Sequence, residues 1–273
     1  MDFRRSQPSW YHPVQPTLEH SGQESVSYLE IVPDWRLQQQ IYCYWELKTI
    51  QPLDADFVYR VVADGCIDWL VELHQPDDIY VAGLSTEYLE FPLGPSFRYL
   101  GIRFLPAGLT QLYPLNASLL TNRFERLDAV LPQAAAELSG RFKLEQELSD
   151  MLAILNAYFC GQLTNFKQPL DTRVKAALEE IHRSAGQLEL DRLDIGLSPR
   201  QLRRLFQQQL GTSPKRFSKI VRFQQLLQAK PSVQSLRANK LFYDLGYYDQ
   251  AHFVKEFRHH YGLPPTKALP RQD

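Results

Sequence analysis

The chain has 273 residues, 44% of them hydrophobic, with 30 Lys and Arg against 31 Asp and Glu. That length suits two domains, and that apolar share fills ordinary cores, which excludes wholesale disorder. Three scattered cysteines exclude a disulfide framework or zinc spacing. There is no apolar run of about 18 residues, and no apolar stretch follows the N-terminal arginines, so neither a membrane span nor a secretory signal is expected. The expected setting is cytoplasmic.

Residues 26–105 read mostly as strand. Ile41–Leu47, Phe57–Val62, Ile67–Leu73, Ile79–Leu84 and Arg98–Phe104 are short runs rich in aromatic and β-branched residues. Turn formers separate them at Asp64-Gly65, at Gln75-Pro76-Asp77-Asp78 and over residues 92–96. Such spacing predicts an antiparallel, barrel-like body. From about Leu109 the pattern turns helical, with a long helix over 132–159. Residues 1–160 are therefore read as an α+β domain. Gly161 to Pro169 is read as a linker that leaves the domains few obligatory contacts, and 170–273 as an all-α domain.

Charge divides along the same line. From Asp171 onward there are 18 Lys and Arg against 10 Asp and Glu, leaving 12 against 21 before it. Between Ser198 and Lys230 lie eight cations and no anion. A solvated surface normally mixes signs, so this stretch points to a polyanion.

Ser198 is placed to N-cap a helix opened by Pro199 and closed by Gly211. Leu202, Leu205, Phe206 and Leu210 share its apolar face. Arg200, Arg204, Gln207 and Gln208 fall opposite, flanked by Gln201 and Arg203. Arg can grip guanine O6 and N7 with two bonds, and Gln adenine N6 and N7. Pro214 opens a second helix with Phe217, Ile220, Val221 and Leu227 on one side, where Lys219 is read as a phosphate contact. A repeat of the first pattern follows. Gly246 makes a turn, Asp249 caps, Phe253, Phe257 and Tyr261 form a buried stripe, and Gln250 and Lys255 point outward. His259 and His260 are read as a solvated helix end.

Residues 186–269 resemble the DNA-binding domain of the AraC/XylS family of bacterial regulators. The resemblance rests on residues 197–206, on 211–217, on Arg222-Phe223, on 245–253 and on Gly262-Leu263-Pro264-Pro265. It implies two helix-turn-helix units joined by a helix, promoter DNA as partner, and recruitment or blocking of RNA polymerase. It implies Arg200, Gln201, Arg203, Arg204, Gln250 and Lys255 as base or phosphate readers. The sequence departs from the family pattern in two places. The run 193–198 is about two residues short, and Phe242 stands where the family has a small residue. Residues 62–70 and 101–108 resemble motifs of AraC-type regulators whose N-terminal domain has no settled role.

The first domain is therefore expected to bind a small-molecule effector or to form a homodimer. Tyr44, Trp45, Trp69 and Arg103 are candidate pocket residues. Arg103 needs a partner among apolar neighbours, either Asp64 or Asp68 as an ion pair or an anionic effector. Cys66 is read as structural, and Asp64, Asp68 and Glu72 as caps and strand ends rather than a cation site. No cofactor, metal or catalytic set is expected. A constitutive binder, with the first domain only an interaction module, is the alternative, and a DNA-modifying enzyme a more distant one.

Overall fold

The computed structural model describes residues 10–15, 25–165, 169–187, 193–238 and 241–270. Eight strands form in chain order: β1 (Val26–Ile31), β2 (Ile41–Thr49), β3 (Phe57–Val61), β4 (Ile67–Glu72), β5 (Ile79–Ala82), β6 (Leu89–Leu93), β7 (Arg98–Phe104) and β8 (Phe124–Arg126). All pairings are antiparallel. Six strands make one sheet in the order β1-β2-β7-β4-β5-β8, and β3 pairs with β6 as a separate ribbon. The strand-rich antiparallel body is as expected, and no closed barrel forms among the described strands.

Side-chain alternation assigns the two faces of the large sheet. Ile67, Trp69 and Val71 of β4, and Leu100, Ile102 and Phe104 of β7, enter the principal core. That core is covered by α1 (Gly108–Leu112) and by the helix over Leu148–Asn165. Cys43, Trp45 and Leu47 of β2 face the other way, against Phe57 and Tyr59 of the ribbon. Gly101 sits under the Trp45 indole. A Cβ there would lie 1.9 Å from the ring, so the strand needs glycine at this point.

Between Leu109 and Phe159 the helical pattern is interrupted. Strand β8 pairs with β5, followed by α2 (Leu127–Val130) and α3 (Pro132–Leu138). The helix expected over 132–159 breaks after Leu138, where Gly140 takes φ +71°, and resumes as α4 (Leu148–Asn165). Residues 161–165 of the expected linker are thus the end of a helix, while 166–168 lie outside the described residues. Pro92 and Leu93, read as turn, belong to β6. That strand pairs only with β3, and proline is tolerated at such an edge.

The C-terminal part is all helix: α5 (Thr172–Arg183), α6 (Pro199–Leu210), α7 (Pro214–Gln228), α8 (Val233–Ala238), α9 (Leu241–Asp244), α10 (Gln250–Tyr261) and α11 (Pro265–Ala268). Contacts with the strand-rich part are more extensive than a free linker allows. Cys66, Leu105 and Ala107 share one apolar cluster with α5, α6 and α7, and Ile220 enters the principal core. A Cβ on Gly65 would meet the Phe217 ring at 2.9 Å. Gln224, 1% exposed in mid-helix, donates to Ala63 O (2.8 Å) and accepts from Val14 N (2.6 Å). The one-sided reading of α7 missed this because Phe223 and Leu226 are buried as well. Helix α7 is bedded between the two halves rather than lying on the surface.

Candidate nucleic-acid interface

The start of α6 is built by its cap. Ser198 Oγ accepts from Gln201 N (3.3 Å), and Gln201 Oε1 accepts from Ser198 N (2.9 Å), a reciprocal capping box. Leu202, Phe206 and Leu210 are buried. Arg200, Gln201, Arg203, Arg204, Gln207 and Gln208 are exposed. The Gln201 carbonyl is already engaged, so a two-bond grip on adenine there would require the cap to open. Gly211 takes φ +91° at the C-cap.

Ser213 caps α7, and Lys215 and Arg216 stand exposed on its first turn. At 1.5 Å per residue, its 15 residues form a rod of about 22 Å. Lys219, read as a phosphate contact, is partly exposed and its ammonium pairs with Glu256 of α10. Arg222, a match to the family pattern, also has partners within the chain. It donates to Gly246 O (3.1 Å) and Gly186 O (3.0 Å), and its guanidinium lies 5.3 Å from the centre of the Tyr247 ring. It thereby fixes the turn before the second unit.

Asp249 caps α10 by accepting from His252 N (2.7 Å). Gln250 and Lys255 are exposed, and Phe253, Phe257 and Tyr261 are buried as expected. Phe242 lies over Phe253 with centroids 6.0 Å apart, so the unusual aromatic fills the space as packing. Most of the approach to α6, residues 188–192, is outside the described residues. A groove between the start of α7 and α10 is lined by Lys215, Arg216, Lys219 and Lys255.

Both exposed helices point their capped N-termini outward and have their C-terminal ends held by the strand-rich half. Gln209 O accepts from Thr110 Oγ1 (3.0 Å), and Gly211 O accepts from Thr121 Oγ1. At the end of α10, His259 O accepts from Tyr88 N (3.3 Å) and His260 O from Ala63 N (3.2 Å). These are carbonyls that a helix cannot satisfy itself. The expectation of a solvated His260 is corrected. Its side chain is buried at 4% exposure, with Nδ1 3.1 Å from Thr86 O.

Burial, reinforced by the neighbouring His259, pushes the His260 imidazole down to about 4. Glu256 and Thr86 O oppose the shift, and Lys219 adds to it. The folded state therefore holds His260 neutral. Below about pH 6.5 the unfolded chain takes up a proton that the folded chain refuses until about pH 4. Stability is expected to fall across that window by up to about 3 kcal/mol from this group alone. Denaturant unfolding at pH 7 and pH 4.5 measures it. His260→Gln, which keeps a donor for Thr86 O, should show a smaller acid loss than wild type; an equal loss would rule out His260 as its source.

A cavity of about 360 Å³ lies between the large sheet and the β3–β6 ribbon, with Trp45, Tyr59, Leu70, Tyr80, Phe91 and Arg103 among its walls. Trp45 and Arg103 were expected at a pocket and are there. Tyr44 and Trp69 are on the opposite face of the sheet. Tyr44 donates to Asn156 Oδ1 (3.1 Å), and Trp69 packs on Phe104, Tyr113 and Phe159. Period-two alternation separates them from the cavity.

Arg103 is 1% exposed and carries an ion pair. Its Nη2 lies 3.0 Å from Asp68 Oδ2, its Nη1 3.4 Å from Glu30 Oε1 and its Nε 3.6 Å from Asp64 Oδ2. Burial pushes the Asp68 carboxyl up, with Asp64 adding to that shift and Arg103 opposing it. Asp64 Oδ1 also accepts from Cys66 N (2.9 Å), and Glu72 Oε2 accepts from His74 N (3.1 Å), so these carboxylates serve separate partners. Burial raises the Cys66 thiol well above its ordinary value, which keeps it protonated and a poor nucleophile. Two groups had no signal in the sequence, Gln224 and the segment 86–88, and Arg222 was marked only by the family resemblance; all act through partners far away in the chain.

Residues 194–271 match the family described as Helix-turn-helix domain, and residues 29–126 match Domain of unknown function (DUF6597). Among solved structures, an apo ToxT variant from Vibrio cholerae strain SCE256 is similar at 11% identity. It covers 90% of this chain and 97% of its own, with a TM-score of 0.36. No curated protein matches the chain. The C-terminal part is an AraC-type helix-turn-helix domain, which supports DNA-binding transcription regulation.

Proposed function

We propose that the chain is a sequence-specific regulator whose DNA binding is controlled by a small molecule held in the strand-rich half. Helices α6 and α10 enter successive major grooves, α7 sets their separation, and RNA polymerase at the promoter is recruited or blocked as a result. Arg200, Arg203, Arg204 and Gln207 read from α6, with the Gln201 amide beside them. Gln250 and Lys255 read from α10. Lys215 and Arg216 hold phosphates.

One observation carries the control. Val62 and Asp64 line the cavity and flank Ala63, which donates to His260 O; Ser85 and Leu89 line it and flank the segment that grips His259 and His260. A ligand that shifts the cavity wall acts directly on the end of α10. A constitutive binder would not need its reading helix fastened to a cavity wall.

Genomic fragments enriched on the purified full chain supply the binding site, and gel-shift titration with and without small-molecule pools tests the control. DNA affinity that no pool changes would favour the constitutive reading. Arg200→Ala or Arg204→Ala is expected to cost about 1–3 kcal/mol at the enriched site and to relax preference at a few bases. Lys215→Ala should weaken enriched and random DNA alike. Equal losses on both DNAs for all three variants would mean that α6 does not read bases.

A further inference from the structure

The geometry points to a protonated amine carried on an apolar, ring-sized body as the ligand of the sheet–ribbon cavity. This deepens the reading of the cavity as a ligand site. Three observations bear on it, the first being charge. Asp64, Asp68, Glu72 and Asp78 line the cavity against a single lining cation, Arg103. Arg126 answers Asp78 and His74 contacts Glu72, which leaves the inner carboxylates around Arg103. There the guanidinium meets Asp68, Asp64 and Glu30 together, three carboxylates for one positive charge. An anionic ligand would have to displace Asp68 to reach Arg103 and would add to a negative excess. A cation relieves it.

The second observation is the wall. Tyr80 stacks on Phe124 at 5.0 Å and Phe124 meets Phe91 at 5.3 Å, forming one aromatic surface. Trp45 stands with its ring over Gly101 and its Nε1–H on Asp68 Oδ2 (3.1 Å). Aromatic faces beside carboxylates attract an ammonium more than a neutral group. The third observation is Tyr59. It is 6% exposed, it lines the cavity, and its hydroxyl has no hydrogen-bond partner among the described residues. Tyr59 lines the same cavity as Arg103, Asp68 and Asp64. A buried, unpaired hydroxyl is costly, and an ammonium N–H donating to its oxygen would give that oxygen a partner. The volume of about 360 Å³ suits a body of one or two rings.

Three matched probes test the inference on the full chain by titration calorimetry: 2-phenylethylammonium, 2-phenylethanol and phenylacetate. A probe of roughly nine heavy atoms should bind with a Kd of order 1 mM. The ammonium is expected to bind about tenfold more tightly than the alcohol, with phenylacetate weakest. Tyr59→Phe should weaken the ammonium about fivefold and leave the melting temperature no lower, since the lost hydroxyl had no partner. The inference is overturned if phenylacetate binds as tightly as the ammonium. It is also overturned if the ammonium gives no saturable heat by about 10 mM, several times the Kd anticipated from its size, or if Tyr59→Phe binds it as wild type does. Calorimetry is run without DNA, so occupancy of the cavity and its control over DNA binding can fail separately. Ammonium binding with no change in DNA affinity would keep this site and remove the control.

Discussion

Arg103→Ala is expected to lose about 3–5 kcal/mol of stability or to leave the strand-rich half unfolded. Removing the guanidinium strands Asp68, Asp64 and Glu30 around a hole with no cation among them. Burial already pushes Asp68 up with Arg103 present, so its carboxyl would take a proton in the variant. The Trp45 indole, which donates to the same carboxylate, would lose its anchor over Gly101. Denaturant titration followed by tryptophan fluorescence measures the loss, and its pH dependence identifies the cause. The variant should be relatively less impaired at pH 5 than at pH 8, because protonating the stranded carboxylates relieves the cost. A second variant separates charge from volume. Arg103→Met with Asp68→Leu replaces the main pair by apolar side chains of similar size and should recover much of the loss. Arg103→Ala that unfolds as wild type does would show that the carboxylates are hydrated and the pair contributes little.

The legibility of this chain follows the range of each interaction. The cap of α6, its apolar stripe, the stops at Gly211 and Gly262 and the stripe of α10 are set by residues within one or two turns. Period and capping therefore disclose them. The central strands were legible for the same reason. What was lost depends on partners far away in sequence. Whether Lys219 meets phosphate or Glu256 is decided 37 residues away. His260 reads as a helix-end histidine until Thr86, 174 residues back, closes over it. Tyr44 and Trp69 are aromatic strand residues like Trp45, and only register assigns them to the helix-covered face. The β2 bulge between Ile41 and Cys43 also breaks the simple alternation that leads up to Tyr44. Arg103 was the exception. A cation between two apolar strand neighbours has so few outcomes that the local sequence named two of its three carboxylates, Asp68 and Asp64, and missed only Glu30 from β1.

DNA affinity of the full chain is expected to fall by about a hundredfold to a thousandfold between 50 and 200 mM salt, because each phosphate neutralised releases counterions and contributes a slope of about −0.9. The count behind this comes from the structure and not from the eight cations of residues 198–230. Lys219, Arg222 and Lys230 have partners within the chain and drop out, and Lys255 of α10 joins. Arg200, Arg203, Arg204, Lys215, Arg216 and Lys255 are exposed and have no ion pair among the described residues. Six phosphate contacts give a slope near −5; if Arg200 and Arg204 spend themselves on bases, four contacts give about −3.6. Variants then sort the cations. Lys215→Ala should make the slope shallower by about one. Lys219→Ala should leave the slope unchanged while weakening binding, since it frees Glu256 and loosens α10 against α7. A Lys219→Ala slope shallower by one would put that ammonium on phosphate after all, with the Glu256 pair broken on binding. A wild-type slope near zero would mean that the cationic face does not meet DNA, and the placement of α6 and α10 in the grooves would fall with it.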